Sequence, residues 1–319
     1  MNAELLDSLG FSATVFLPNI LMLLLGIFLR NRRLIDDKFC DQASRLVFNV
    51  TLPLLLFLGI ATNPINYHTQ ALSILVGVLT TLLLFFGAEF IAAKMIPNRK
   101  ERGIFVQGVF RGNTGIMGLS LCANAYGTAG LAAAAVYVAL ITLLYNVLAV
   151  LTLTRSLSEQ GKTNILAILK SLIKNPLIIA IIIALFFNKM HFSLPKPLLS
   201  TANYLANITL PLALLCAGAS LNFRGLFSTS AVSVWSSIGR VIIAPLVIVF
   251  MAKAMGLEGM SLGIIYLVSA TPVASASYVM TRSMGGNATI AANIIGLTTI
   301  GSLFISAIGI VILSQLGWM

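Results

Sequence analysis

Apolar runs of about 20 residues recur along the chain, each closed by charges, prolines or glycine-rich turns, and no other feature restricts the fold so strongly. A helix of that length crosses a hydrocarbon core of roughly 30 Å. Inside lipid every backbone group must find a partner within the protein, which leaves helices for runs of this kind. The composition agrees: 58% of residues are hydrophobic and 9% charged, where a soluble domain carries about a quarter charged. The expected class is an all-α polytopic membrane protein with no separate soluble domain.

Ten spans are predicted, at about 11–30, 43–61, 71–96, 103–125, 128–154, 166–187, 199–221, 231–255, 260–284 and 288–316. The opening "MNAELLDSLG" has two acids and no basic lead, so it does not read as a cleavable signal. The first span is halted by "RNRR". Positive charges gather in the odd connections: Arg30, Arg32, Arg33, Lys38 and Arg45, then Lys94, Arg99, Lys100 and Arg102, then Arg155, Lys162, Lys170 and Lys174. The positive-inside rule makes these connections cytoplasmic and sends both termini outside a cell inner (plasma) membrane. The net charge of +11 reports this orientation and contact with anionic headgroups rather than nucleic acid.

"NVTLPLLL" at 49–56 returns as "NITLPLAL" at 207–214, with six of eight positions identical. The same offset takes Pro18 to Pro176, and one residue more takes Gly127 to Gly286 and Ala132 to Ala291. Two repeats of five spans follow, 1–154 and 164–319, joined by a cytoplasmic connection at 155–163. An odd span number turns the second repeat upside down, and inverted repeats of this kind characterise secondary transporters.

The fourth span is interrupted by "FRGNTGIMG", Phe110 to Gly118. At the longer offset Arg111, Gly112, Asn113, Thr114 and Gly115 correspond to Ala270, Thr271, Pro272, Val273 and Ala274, with Ser275 following. Glycine frees φ and proline removes a donor, so both segments loosen their helices. Paired interruptions in two halves point to a transport site. The alternative, close helix packing through small residues, is common in membranes. Broken helix ends present unpaired N–H groups that favour an anion. Arg111, and Arg240 deep in span eight, add full charges; Arg240 otherwise pairs with a carbonyl or Glu89. Arg282 is placed at the interface. Glu89 alone among the acids falls inside a span, so no acidic relay serves either interruption.

Weaker features imply little. Cys40, Cys122 and Cys216 are isolated in sequence and read as small apolar filler, and His68 and His191 form no cluster. No nucleophile–base arrangement or metal spacing appears, so no enzyme, metal site or cofactor is implied. Lys170 and Lys174 in "NILAILKSLIKNP" mark either an interfacial helix or a span entrance. Asp41 and Arg45 have the spacing of a surface pair. Asn49, Asn207 and Asn287 begin N-x-T matches, but two lie in spans and are not read as glycosylation acceptors.

"NTGIMGLSL" and "ATPVASASYVMTRSMGG" resemble the auxin efflux carrier family, through Asn113-Thr114 with Met117-Gly118 and through Ala270 to Pro272 with Val279. That family includes plant auxin carriers and bacterial transporters described as malonate permeases. The resemblance implies inverted five-helix repeats whose fourth and ninth helices are broken and cross, as in sodium/proton antiporters and bile acid symporters. Spans one, two, six and seven would form a scaffold and homodimer interface, and the other six a moving, elevator-type unit. The crossover site falls on Asn113 and Thr114, opposite Thr271 and Pro272. Plant carriers differ in having prolines where this chain has Ser120 and Ser277, and in a large central loop that is missing here. The expected function is a secondary carrier of a small carboxylate or dicarboxylate; the alternatives are a sodium-coupled symporter and a non-transporting sensor of the same fold.

Overall fold

The computed structural model describes residues 3–62, 67–157, 176–192, 194–220 and 230–319. The expected lysines Lys162, Lys170 and Lys174, and most of the 155–163 connection, lie outside the described residues. Among the described residues there are helices and no strands, and seven helices are long and apolar enough to cross a membrane. The chain is a multi-pass membrane protein.

The first helix, α1 (Ala3–Asn31), passes through Pro18 without ending. The turn after it is closed by charge. Asp36 accepts from the Phe39 amide at 2.7 Å and so caps α2 (Asp37–Leu46), and Arg30 holds both Asp37 oxygens, at 2.5 and 2.7 Å. The expected Asp41–Arg45 pair does not form; the ion pairs among the described residues are Arg30–Asp37, Arg155–Glu89 and Lys253–Glu258. A chain reversal, with Arg33 at φ 58°, brings Arg30 onto Asp37 in a two-bond fork that a helical i,i+4 pair does not offer.

The repeated octamers loosen their helices in the same place. Pro53 cannot donate to the carbonyl four residues before it, and a π-helical turn, Val47–Thr51, separates α2 from α3 (Leu52–Ala61). Pro211 has the same relation to Asn207. Here α8 (Lys196–Asn207) stops and α9 (Thr209–Ala219) starts. Between them in sequence come α4 (Tyr67–Met95), α5 (Arg99–Phe110), α6 (Leu119–Leu157) and α7 (Pro176–Lys189). Gly127, at φ 61° and ψ −147°, divides α6 where one apolar run was expected to end and the next to begin. Only glycine adopts such a backbone without strain.

The remaining elements are α10 (Ala231–Ile238), a π-helical turn (Gly239–Ile243) two residues before Pro245, α11 (Ala244–Ala254), α12 (Gly259–Ser269), α13 (Ala276–Ser283) and α14 (Ala288–Gln315). Asn287 caps α14 by accepting from the Thr289 and Ile290 amides, and Asn49 donates to the Arg45 carbonyl, so both asparagines serve the backbone.

Small residues let helices touch. Gly26 of α1 lies against the Leu215 carbonyl of α9, and Gly218 of α9 lies against the Leu23 carbonyl of α1; a Cβ at either would overlap backbone. Nearby, Cys40 and Cys216 share one buried cluster with Ala43 and Ala219. They are free thiols, as is Cys122. Their isolation in sequence therefore does not persist in space. Large apolar side chains such as Leu24, Phe86, Phe250 and Phe304 are exposed on the outside, where lipid would cover them.

Candidate functional site at the crossing of two interrupted helices

α5 ends at Phe110. Arg111 then takes extended backbone angles (φ −88°, ψ 92°), Asn113 follows at φ −81° and ψ 61°, and the chain re-enters a helix through a π-helical turn, Thr114–Gly118. On the other side α12 ends at Ser269 and α13 begins at Ala276. The two extended segments meet as an isolated antiparallel bridge between Gly112 and Val273. The Asn113 amide donates to the Pro272 carbonyl at 2.7 Å, and the Ala274 amide donates to the Arg111 carbonyl at 3.2 Å. The Val273 amide turns outward to Thr298 Oγ1 at 3.1 Å. Each break thus supplies partners for the other's freed backbone groups, which answers the demand that none stay unpaired at membrane depth.

Gly112 is required by contact rather than by φ. A Cβ there would stand 2.5 Å from Arg240 Nη2 and 2.7 Å from Thr271 Oγ1. Arg240 lies in the π-helical turn between α10 and α11 and is 1% exposed. Its Nε donates to the Thr271 carbonyl and its Nη1 to the Phe110 carbonyl, both at 2.9 Å, while Nη2 donates to the Ser269 carbonyl. Phe110 and Ser269 are the last residues of α5 and α12, so one guanidinium holds the carbonyl ends of both half-helices, where the helix dipoles leave negative charge. Of the two alternatives for Arg240, the carbonyl pairing is the one observed. Glu89 is elsewhere, accepting from Thr152 Oγ1 at 2.5 Å and lying 3.7 Å from Arg155 Nη1.

Arg111 is differently placed. Its side chain donates to Gln107 Oε1 at 3.1 Å, to Asn146 Oδ1 at 2.7 Å and to Met280 Sδ at 2.6 Å. Every one of these partners is neutral. The residue is 5% exposed, and no ion pair among the described residues includes it. Next to it, Asn113 is 9% exposed and its side chain does not cap the helical turn that follows. Thr114 Oγ1 pairs with Thr142 Oγ1 at 3.1 Å.

The structure therefore brings together Arg111, Gly112, Asn113, Thr271, Pro272 and Arg240, with Thr114 turned toward α6. Gly115 is half-buried and Ser275 is exposed, and neither takes part in the backbone bridge. Arg282 is exposed and donates to Tyr278 Oη at 3.3 Å. Gln107, Asn146, Thr142 and Met280 were not anticipated. Gln107 stands four residues before Arg111, on the same helical face, and that spacing was available as a signal. Asn146 is a lone amide in an apolar run. Among the described residues no group of three or more His, Cys, Asp or Glu could hold a metal ion.

The sequence pattern of the family described as "Membrane transport protein" matches residues 11–310. An uncharacterized transporter of Methanocaldococcus jannaschii is 25% identical over 302 residues, which is 92% of this chain and 96% of that one. The uncharacterized transporter YfdV of Escherichia coli K12 is 26% identical over 305 residues, covering 91% of this chain and 95% of its own. An uncharacterized transporter of Methanothermobacter thermautotrophicus is 24% identical over 298 residues, with 92% and 96% covered. Matched along nearly its whole length and carrying two interrupted helices that complete each other, the chain belongs to the membrane transport protein family of auxin efflux carriers, a family of transporters and not of enzymes.

Proposed function

We propose that the protein is a secondary carrier of a small organic anion, a carboxylate or dicarboxylate, which binds at the crossing beside Arg111 and Asn113. The observation that carries this reading is the buried Arg111 guanidinium, whose hydrogen-bond partners among the described residues, Gln107, Asn146 and Met280, are all neutral, with Asn113 beside it. A buried charge without a counter-charge is costly, and an arriving carboxylate removes that cost. Asn113 offers an N–H pair for the same oxygen atoms, and Arg offers a planar fork suited to them. Arg240 is not assigned as a ligand, because three backbone carbonyls already hold it.

In this reading ten spans form two inverted repeats. Spans one, two, six and seven are a scaffold through which two copies pair, and the remaining six move by an elevator-type step between the two sides of the inner membrane. Both termini face outward. The close glycine contacts between α1 and α9, within that scaffold, support a rigid frame.

The test is thermal stabilisation of detergent-purified protein by a panel of mono- and dicarboxylates, with and without sodium, in the native chain and in Asn113→Ala. Stabilisation by one acid, independent of sodium and lost in the variant, is expected. Stabilisation only with sodium would favour the symporter, and no response to any acid would sink the anion assignment. Flux of the stabilising acid into proteoliposomes separates a carrier from a sensor.

A further inference from the structure

A second basic feature lies at the opposite end of α5 from the crossing. Between the last turns of α4 and α6 and the first turn of α5 there is a cavity of about 370 Å³, lined by Arg99, Arg102, Arg155 and Glu89 together with Thr152 and Ser156. That volume is at the low end for small-molecule sites, enough for a headgroup. Three guanidinium groups meet one carboxylate there.

Two of the arginines are anchored by backbone. Arg99 donates through Nε and Nη2 to the Arg155 carbonyl, at 3.2 and 2.7 Å, and Arg102 donates through Nε to the Ile96 carbonyl at 2.7 Å. Ordering long side chains before a ligand arrives lowers the entropy lost on binding. The one acid among the described lining residues is partly engaged: Glu89 Oε1 accepts from Thr152, and Arg155 Nη1 is 3.7 Å from Oε2, at the outer limit of an ion pair. The described lining residues therefore carry three arginines against one carboxylate at the edge of the apolar spans. Beside it α5 and α6 are packed closely, Gly103 lying so tightly against Ser156 and the Thr152 carbonyl that a Cβ would overlap them. About 18 Å of helix separates it from the crossing.

We propose that this cavity is an anion site for a phosphoryl oxyanion, taken from an anionic lipid headgroup or from soluble phosphate. Planar guanidinium groups grip such oxygens in pairs, and basic pockets between spans at a membrane surface bind anionic headgroups. The site does not depend on the anion reading of the crossing.

The experiment is native mass spectrometry of the delipidated full-length protein, offered equal amounts of phosphatidylglycerol and phosphatidylcholine. Alongside it, inorganic phosphate is titrated against chloride at matched ionic strength, with thermal shift as the readout. Retention of phosphatidylglycerol over phosphatidylcholine by about tenfold or more is expected, reduced in Arg102→Gln/Arg155→Gln and increased in Glu89→Gln. Stabilisation by inorganic phosphate as well would identify a soluble source; retention of the lipid alone would identify the headgroup. Equal retention of both lipids with no phosphate response, or a double variant that binds like the native protein, would overturn the proposal. If the double variant does not fold, Glu89→Gln decides: tighter binding supports the site, and unchanged or weaker binding rejects it. Because Asn113→Ala leaves this cavity intact, persistence of phosphoryl binding in that variant separates the two sites.

Discussion

Arg240 Nη1 donates to the carbonyl of Phe110 at 2.9 Å, across 130 positions of sequence. The same guanidinium reaches the Thr271 carbonyl through Nε and the Ser269 carbonyl through Nη2. Two half-helices that would otherwise point their negative ends at one another share a single cation. This places Arg240 in the frame of the crossing, with Arg111 as the cation left for other chemistry.

Arg240→Ala should therefore fail as a folded protein before it fails as a binder. Each buried carbonyl left without a partner costs about 1–3 kcal/mol. Arg240→Lys restores a charge without the fork, and should melt below the native protein while keeping carboxylate affinity within a few-fold. Melting temperature and ligand titration on the same preparation check this. A lysine variant as stable as the native protein but blind to ligand would make Arg240 a ligand after all.

Arg111→Gln should show the opposite pattern. It removes a buried cation that has no acidic partner among the described residues, so stability should hold or rise. Carboxylate affinity should drop about 10- to 100-fold, the worth of one charged hydrogen bond of roughly 1.5–3 kcal/mol. Isothermal titration with the stabilising acid reads this directly.

Gly112→Ala adds one methyl group where Arg240 Nη2 and Thr271 Oγ1 already stand. Neither can withdraw without giving up a hydrogen bond, since Arg240 holds three carbonyls and Thr271 Oγ1 donates to the Val268 carbonyl at 2.8 Å. A loss of about 1–3 kcal/mol is expected, together with loss of flux. Gly115→Ala is the control, because the nearest atom to its added Cβ is Leu52 Cδ2 at 4.0 Å.

Gly26→Val and Gly218→Val should each separate α1 from α9. Both glycines face a carbonyl of the other helix at backbone contact, so the cost is again about 1–3 kcal/mol or more. Gly10→Val, with open space around it, should be neutral. Monodisperse yield in detergent and melting temperature give the comparison.

The breaks were legible in the sequence because their causes are local. Gly112 and Pro272 announce themselves by residue type, and the repeat offset puts them in corresponding segments, Gly112 matched to Thr271 and Asn113 to Pro272. The turn at Gly127 was legible for the same reason. Carbonyl pairing of Arg240 was one of two alternatives open in the sequence, but which carbonyls it holds was not legible, because they lie 29 to 130 positions away and a carbonyl leaves no mark in the residue alphabet. The same holds for Cys40 and Cys216, which only the packing of α2 against α9 brings together. Asp41–Arg45 erred in the other direction. Helical spacing permits that pair, but both side chains are exposed, where such a pair gains only about 0.3–0.5 kcal/mol against the entropy of holding it.

The bridge between Gly112 and Val273 also limits how the protein can move. Its two backbone bonds run in opposite senses, so neither segment can slide along the other by one residue without breaking both. The Arg240 bracket adds a third restraint from a separate helix. On the proposed reading, a ligand at the crossing would be a passenger on one solid body. That body would have to travel past its neighbours to open on a different side of the membrane, since prying the two breaks apart would strand the polar groups that each supplies to the other.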